Sequence, residues 1–566
     1  MEILLIGFII VLFLFLNGLP LIVGMINTPK GSQFLGTVHW PPDYFYYLSQ
    51  FFQGKGNWFA SYDLFTGDFI SKTFVGWVNV FLGHVFSLLG IGSVAAYQIS
   101  IVIFAVILLI ASYLLIREIF PGSASKRVAA FLFFVTSNAF PKIVESGGKL
   151  TFSYFDYWYN TGLPFNRLGG VPHHFIARAG ITLAILLAVW WWKRLGKYRF
   201  DKKSISKYII AFLLSGFILA SVEPVQWGIT VGVLGIVAFL IFVMPNLFLH
   251  PDKTMKETLK EIPKRVQDDT SVSLTDTLAS VWGGKSFFLP SVLLLIGGLP
   301  MAVYLKRTFS TLPFIQLALW ENSQQLHISF MTYILANGSV VAVAILGVVF
   351  FVRKMDLARL TAFVFTFVTI FLFFSPIPAL VSVVNVRFLP ATTTLFLSCM
   401  ATAGIFTVAS RFSEAKNIVF LLLTLSIIII MLPTYYIQLQ DRVKVDPAFG
   451  LIYLPQKVLV SYQKAQVIST PSDTFMAVYP FNLSLPAIAG RRVFEGHELL
   501  TINDGKKMGE ANDFFAGKIT SEKMDSFLHK NNIHYLFIYS TEKEFASMPF
   551  LKKVYDNEMV AIYKVN

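Results

Sequence analysis

Residues 73–92 read TFVGWVNVFLGHVFSLLGIG, and whether they cross a membrane decides on which side everything after them lies. Twenty mostly apolar residues are long enough to span. Read as a span, however, they carry Arg117, Lys126 and Arg127 to the outer side and invert the rest of the chain. The stretch also contains Asn79, His84 and four glycines. A helix lying along the interface fits it better. The same holds for the aromatic piece from Asp43 to Phe52, so residues 27–93 form a long outer loop with two interfacial helices.

On either side of this loop the chain is made of spans. Of its 566 residues 55% are hydrophobic, 16% aromatic and only 14% charged, against about 25% charged in a soluble domain. Apolar helices are expected near 3–26, 94–116, 127–140, 174–192, 208–222, 225–248, 286–305, 331–352, 360–376, 388–410 and 417–437, about eleven in all. The first has no basic leader region or small-residue cleavage site and reads as retained. With 73–92 left out, one set of alternate loops carries 21 Lys and Arg, including seven between Lys193 and Lys207 and six in 249–285. The other set, despite holding the long loops 27–93 and 141–173, carries nine. The positive-inside rule assigns the first set to the cytoplasm. The N-terminus is then cytoplasmic, and the net charge of +14 is explained without a nucleic-acid partner. The one cysteine, Cys399, lies within a span and builds neither a disulfide framework nor a cysteine metal site.

The reading is a polytopic α-helical membrane protein: a membrane domain over 1–437 and a small extracytoplasmic α/β domain over 438–566. In the latter, Lys464–Thr470 and His534–Tyr539 read as strands, Ser521–Asn531 as a helix, the NDG at 503–505 as a loop, and EMVAIYKV as a closing strand. The polar stretch 250–285 reads as partly disordered. Asn337 and Asn482 head incidental glycosylation sequons.

Candidate chemistry concentrates in the outer loops, because an ionisable residue beside a membrane is costly to keep. Asp43, after two prolines in HWPPDYFYYL, can accept a proton from a sugar hydroxyl or bind a divalent cation; the same pattern is also an ordinary helix start. The second outer loop gathers Glu145, Asp156, Arg167, His173, His174 and Arg178 among aromatics. Aromatic faces beside carboxylates suit a sugar, and an aromatic interface belt has the same composition. Adjacent His173 and His174 cannot form a zinc pair on one helix face. Arg387, at the outer start of a helix, suits a phosphate at the membrane surface or an interfacial anchor. Glu223 falls in a short outer turn. No nucleotide-binding motif is present where it could act, which argues against an ATP-driven pump.

Together these features resemble the GT-C integral membrane glycosyltransferases, specifically bacterial relatives of the protein mannosyltransferases and of lipid A aminoarabinose transferase. Asp43 matches the acidic residue early in their first outer loop. The loop 141–173, with its acids and histidines, matches their second. Arg387 resembles the basic residue near the lipid phosphate. The tail segments LPAIAGRRVFEGHELLT, FLHKNNIHYLFIYS and VAIYKVN resemble the outer domain of bacterial members. The resemblance implies inverting transfer of a sugar from a polyprenyl-phosphate donor to an envelope acceptor (lipid, glycan or protein) at the plasma membrane, with no nucleotide. It makes Asp43 the catalytic residue and Glu145, Asp156, His173, His174, Arg178 and Arg387 substrate-binding. Asp43, Asp156 and His173 are the candidate ligands if a divalent cation takes part. The sequence departs from the pattern in having Asp-Tyr where the protein mannosyltransferases carry paired acids. A transporter or flippase of lipid-linked sugars and a non-catalytic envelope scaffold are the alternative readings.

Orientation is directly testable. Single cysteines at Ser32, Ser153 and Ser472 are expected to react with an impermeant thiol reagent in intact cells, and one at Ser204 to stay unlabelled. Labelling of Ser204 without Ser472 would reverse the assignment.

Overall fold

The computed structural model describes residues 1–37, 41–195, 202–243, 285–353, 355–444 and 452–566. Among these, ten helices are long and apolar enough to cross a membrane: Glu2–Ile26, Ser93–Ile119, Pro172–Leu195, Ile205–Val222, Pro224–Val243, Ser286–Thr308, Phe330–Val352, Leu357–Phe374, Ala391–Ala409 and Lys416–Val443. The stretch 250–285 lies, but for its last residue, outside the described residues.

The decisive stretch does not span. It forms the helix Trp77–Leu88, 12 residues long, or about 18 Å at 1.5 Å per residue. Glu2 gives independent evidence. Its carboxylate accepts bonds from Arg127 Nε and Nη2, both at 2.6 Å, and from the Tyr113 hydroxyl at 2.7 Å. The start of the first helix and the end of the helix Ser93–Ile119 are thus on one side, and the loop between them is on the other. Asp43 lies in the first of the two short helices of that loop, Pro41–Gln53.

The expected helix at 127–140 needs correcting. It runs from Ala124 to Thr136, only 13 residues, and the chain then continues extended. Backbone polar groups cannot be left bare in hydrocarbon, and here the protein satisfies them. Phe140 N–H donates to Leu335 O at 2.9 Å and Arg167 Nη2 donates to Ser137 O at 2.9 Å, while the Asn138 side chain accepts from Gln438 Nε2 at 3.0 Å. The facing helix Phe330–Val352 is itself broken at Gly338, with φ 73° and ψ −160°. The break is required by close approach: a Cβ on Gly338 would stand 1.7 Å from Asn138 O. Asn337 is buried beside it, and Asn482 is buried in the C-terminal domain, so neither sequon offers an accessible amide.

After the last span the chain builds a five-stranded sheet in the spatial order 492–493, 474–477, 535–539, 560–565, 551–556. The first three strands are parallel and the last two antiparallel. Two sequence expectations fail here. Lys464–Thr470 is not a strand: it falls largely in the helix Gln456–Ile468, whose Val458, Leu459, Tyr462 and Ala465 form one buried face. The NDG turn opens the helix Asp504–Phe515 from Asn503 in left-handed backbone. The last span also runs on to Val443, beyond the expected boundary at 438.

This domain does not stand apart. Ser32–Phe34 pairs antiparallel with Tyr453–Pro455. Val493 N–H donates to Leu64 O at 2.9 Å and Gly67 N–H to Phe494 O at 3.0 Å. Thr501 Oγ1 donates to Phe65 O at 2.7 Å. Phe45, Leu48, Phe51 and Phe65 of the first outer loop share one apolar core with Tyr462, Phe475, Phe494 and Phe537.

Gly338→Ala is expected to destabilise the protein by about 1–3 kcal/mol or more, since strained backbone and a backbone clash coincide. A thermal melt in detergent should show a clear loss relative to Gly228→Ala. An added Cβ at Gly228 meets nothing within 4 Å, so that variant serves as control.

Candidate functional site

A cavity of about 1600 Å³ opens between the membrane helices, the two long loops 27–92 and 137–171 and the C-terminal domain. One flank is apolar, formed by Leu14, Gly18 and Leu21 of the first helix and Ile101, Val102 and Ala105 of the helix Ser93–Ile119. Its centre is polar and aromatic. Trp158 and Trp320 meet edge to face at 5.9 Å, and Tyr47 packs on His173 at 4.7 Å.

Asp43 sits in the first turn of the helix Pro41–Gln53, whose buried face of Pro41, Tyr44, Phe45 and Leu48 fixes its direction. Its side chain is 60% exposed and lines the cavity. One oxygen, Oδ1, lies 3.2 Å from His497 Nε2. His497 is buried and comes from the C-terminal domain, 454 residues away. Behind it lies Asp63, buried, with Oδ1 accepting from Phe65 N–H at 2.9 Å; desolvation raises its carboxyl to about 6.

A second group of charges spans the cavity wall. Arg387 Nε donates to Glu321 Oε1 and Nη1 to Glu223 Oε1 at 3.1 Å, with the guanidinium 5.1 Å above the Tyr159 ring. Glu223 is buried, and burial pushes its carboxyl up against the pull of Arg387. The Tyr159 hydroxyl is 2.9 Å from His174 Nδ1, His174 Nε2 is 3.5 Å from Glu223 Oε1, and Arg178 Nη2 is 3.4 Å from the same hydroxyl. One consistent donor order satisfies these contacts: Arg178 to Tyr159, Tyr159 to His174, His174 to Glu223. Arg178 is further tied to Arg167 O at 2.9 Å and Gly169 O at 3.2 Å.

Of the residues singled out in the sequence, Asp43, Asp156, His173, His174, Arg178 and Arg387 all line the cavity. Glu145 is absent from its lining. It is exposed in the hairpin formed by Pro141–Ser146 and Lys149–Tyr154, opposite Leu150. Asp156 is open to the cavity, yet the protein around it withdraws solvent and raises its carboxyl to about 6. Arg387 is not a free cation, since two carboxylates hold it. Asp43, Asp156 and His173 do not form a metal donor set: among the described residues no three His, Cys, Asp or Glu side chains converge. Sequence reasoning missed His497, Glu321 and Tyr159 as site residues and noted Glu223 only as a turn. The glutamates and Tyr159 fall in outer loops, where charge-to-charge pairing was legible in principle. No spacing connects residues 43 and 497.

No family model matches the sequence, and no curated protein does. Solved structures match its fold. The oligosaccharyltransferase of Archaeoglobus fulgidus, tethered with an acceptor peptide containing the NVT sequon, aligns with TM-score 0.51 at 12% identity, over 96% of this chain and 70% of that one. The same enzyme in complex with Zn and sulfate gives 0.48 at 13%, over 95% and 68%. ArnT from Cupriavidus metallidurans bound to undecaprenyl phosphate gives 0.49 at 11%, over 99% and 98%. With ten apolar helices long enough to span among the described residues, and a terminal α/β domain, this chain is a multi-pass membrane protein that shares the fold of that archaeal oligosaccharyltransferase.

The seam beside the site should respond to pH. Glu495 is buried, with both oxygens accepting from Asn482 Nδ2 at 2.9 and 3.0 Å, and burial raises its carboxyl to about 7. Unfolded, it titrates near pH 4.3. Between about pH 4.3 and 7 the folded chain keeps a proton that the unfolded chain releases, so this group's contribution to stability declines as pH rises to about 7 and levels off above it. Glu495→Gln removes the contribution. The melting-temperature difference between mutant and wild type is therefore expected to be larger at pH 8 than at pH 5.

Proposed function

We propose that the chain transfers a sugar, with inversion, from a polyprenyl-phosphate donor to a hydroxyl-bearing envelope acceptor (lipid, glycan or protein) on the outer face of the plasma membrane. The observation that carries this reading is Asp43: a carboxylate held by one oxygen, with its side chain open to a cavity that has an apolar flank at the membrane helices and an aromatic centre. That cavity suits an amphiphile with a prenyl tail and a sugar head. The GT-C fold supports the same reading.

In the reaction the acceptor oxygen attacks the anomeric carbon in line with the bond to phosphate. The new glycosidic C–O bond forms as the carbon–phosphate oxygen bond breaks, and the electron pair leaves on the lipid phosphate. Asp43 takes the acceptor's proton. A phosphate leaving group needs charge stabilisation more than protonation, and Arg387 is proposed to supply it. That requires a change from the present arrangement. Glu321 is 25% exposed and Glu223 8%, so a donor phosphate would displace Glu321 while Glu223 continues to orient the guanidinium. Among the described residues Asp43, Asp156 and His173 do not converge, so none of these steps passes through a metal ion.

Mass spectrometry of envelope lipids and glycans from a deletion strain identifies the sugar and the acceptor. Asp43→Asn is expected to abolish product while preserving expression and membrane insertion, since Asn caps a helix start about as well as Asp. A flippase or a scaffold would tolerate the change, so retained product sinks the catalytic assignment.

Initial rates against the donor so identified test Arg387. Arg387→Ala is expected to raise the donor KM roughly tenfold to a hundredfold, the range for a lost charge-assisted contact made before and during reaction. Arg387→Lys should recover part of it, keeping the charge but losing the planar fork. A flat donor KM across all three proteins removes Arg387 from the phosphate site.

A further inference from the structure

The contact between Asp43 and His497 has a direction. The backbone N–H of Leu499 donates to His497 Nδ1 at 3.1 Å. A backbone amide can only donate, so Nδ1 carries a lone pair and the ring proton resides on Nε2. Nε2 is the atom 3.2 Å from Asp43 Oδ1. The imidazole is therefore a donor to the carboxylate. To pass a proton along it would have to take one at Nδ1, which the Leu499 amide already occupies.

The ring is also fixed in place. It lies edge to face with Tyr46 at 6.3 Å and with Phe65 at 6.2 Å. The turn that bears it is tied on two sides. Thr501 Oγ1 donates to Phe65 O at 2.7 Å, and Gln316 Nε2, from the short outer helix Phe314–Ser323, donates to Thr501 O at 2.9 Å. Thr501 N–H donates back to His497 O at 2.8 Å. Three separate parts of the chain thus hold one N–H bond aimed at one carboxylate oxygen.

We infer that His497 is a positioning residue of the C-terminal domain: a fixed neutral donor that pins Asp43 Oδ1 and leaves Oδ2 directed to the acceptor hydroxyl. The inference rests on the proposed role of Asp43. Its chemical content is orientation. An unpinned, largely exposed aspartate samples several rotamers, and a base must be within about 3 Å of the proton it takes. The C-terminal domain completes the site through this side chain.

Three variants in the full-length protein separate the possibilities. His497→Phe keeps a ring between Tyr46 and Phe65 and removes the donor. His497→Gln places an amide N–H close to where Nε2 stands. Asp43→Asn removes the base itself. Product restored to the deletion strain is measured by mass spectrometry, and binding of undecaprenyl phosphate to the purified proteins is measured alongside. His497→Phe is expected to bind undecaprenyl phosphate within about twofold of wild type while product falls roughly tenfold to a hundredfold, the range for a lost hydrogen bond to a charged group. His497→Gln is expected to recover most of the product. Full product in His497→Phe, with none in Asp43→Asn, overturns the role of His497 and leaves Asp43 standing. Product in Asp43→Asn overturns both. Equal loss in Phe and Gln overturns the donor role.

A spectroscopic test needs no substrate. In protein labelled with 15N-histidine, the signal lost in His497→Phe identifies this ring among the nine histidines of the chain. It is expected to show a protonated Nε2 and an unprotonated Nδ1 at pH 7. The opposite tautomer, or a doubly protonated ring, overturns the inference.

Discussion

In lipid every backbone N–H and C=O must find its partner within the protein, and at one place this chain meets that demand with a buried arginine. Arg167 Nη1 donates to Thr161 O at 2.9 Å and Gly162 O at 2.7 Å, and Nη2 donates to Ser137 O. Its own carbonyl accepts from Arg178. Among the described residues it has no carboxylate partner; the carbonyl oxygens at the end of the short helix Ala124–Thr136 offer it the negative pole of a dipole instead. The wall of the cavity depends on this set of bonds. Residues 161 and 162 are held by Arg167, Arg178 by Arg167, Tyr159 by Arg178, His174 by Tyr159, and Glu223 by His174 and Arg387. An unsatisfied carbonyl here would loosen the site from its base upward.

The electrostatics of the cavity follow one pattern. Asp43 and Arg387 are each held by part of their hydrogen-bonding capacity and left open by the rest. Asp43 gives one oxygen to His497. Arg387 gives Nε and Nη1 to two glutamates of unequal exposure. Holding a charge this way limits its motion and keeps it from the cost of an unpaired charge at a membrane surface. For Arg387 the holding is tighter than the sequence suggests. Any anion that reached its guanidinium would have to compete with Glu321, the more exposed of its two partners.

The membrane architecture was largely legible in the sequence, because hydrocarbon imposes one rule on every span. Ten helices appear where the apolar runs stand, and parity reasoning kept 73–92 out of the membrane. What failed had local causes. The run at 128–135 is apolar; the polar Thr136, Ser137 and Asn138 after it stand where the helix ends, but nothing in the composition reports that the chain there unwinds to meet Gly338. The segment Lys464–Thr470 looks alternating over seven residues and helical only when Val458 and Leu459 are included. Of the loop residues dense in acid and aromatic neighbours, most do line one cavity, because ionisable side chains beside a membrane are kept where protein or water can surround them. Glu145 has that composition too, but a hairpin carries it away. His497 was out of reach: its significance lies in a contact between the first outer loop and the far end of the chain.

That contact also has a consequence in time. The loop segments carrying Phe45 and Phe65 are made early, and the residues that cover them, around Val493 to Thr501, come more than 400 residues later. At the usual 5–20 residues per second, this aromatic face waits roughly 20 to 85 seconds for its cover, outside the bilayer and without a core of its own. Ser32–Phe34 waits for Tyr453–Pro455 over nearly the same span. A ribosome that stalls, or a protease that trims the last hundred residues, leaves an inserted bundle with an unsealed outer loop. The finished contact is therefore also a record of synthesis: no product that stops short of His497 can hold Asp43 as it is held here.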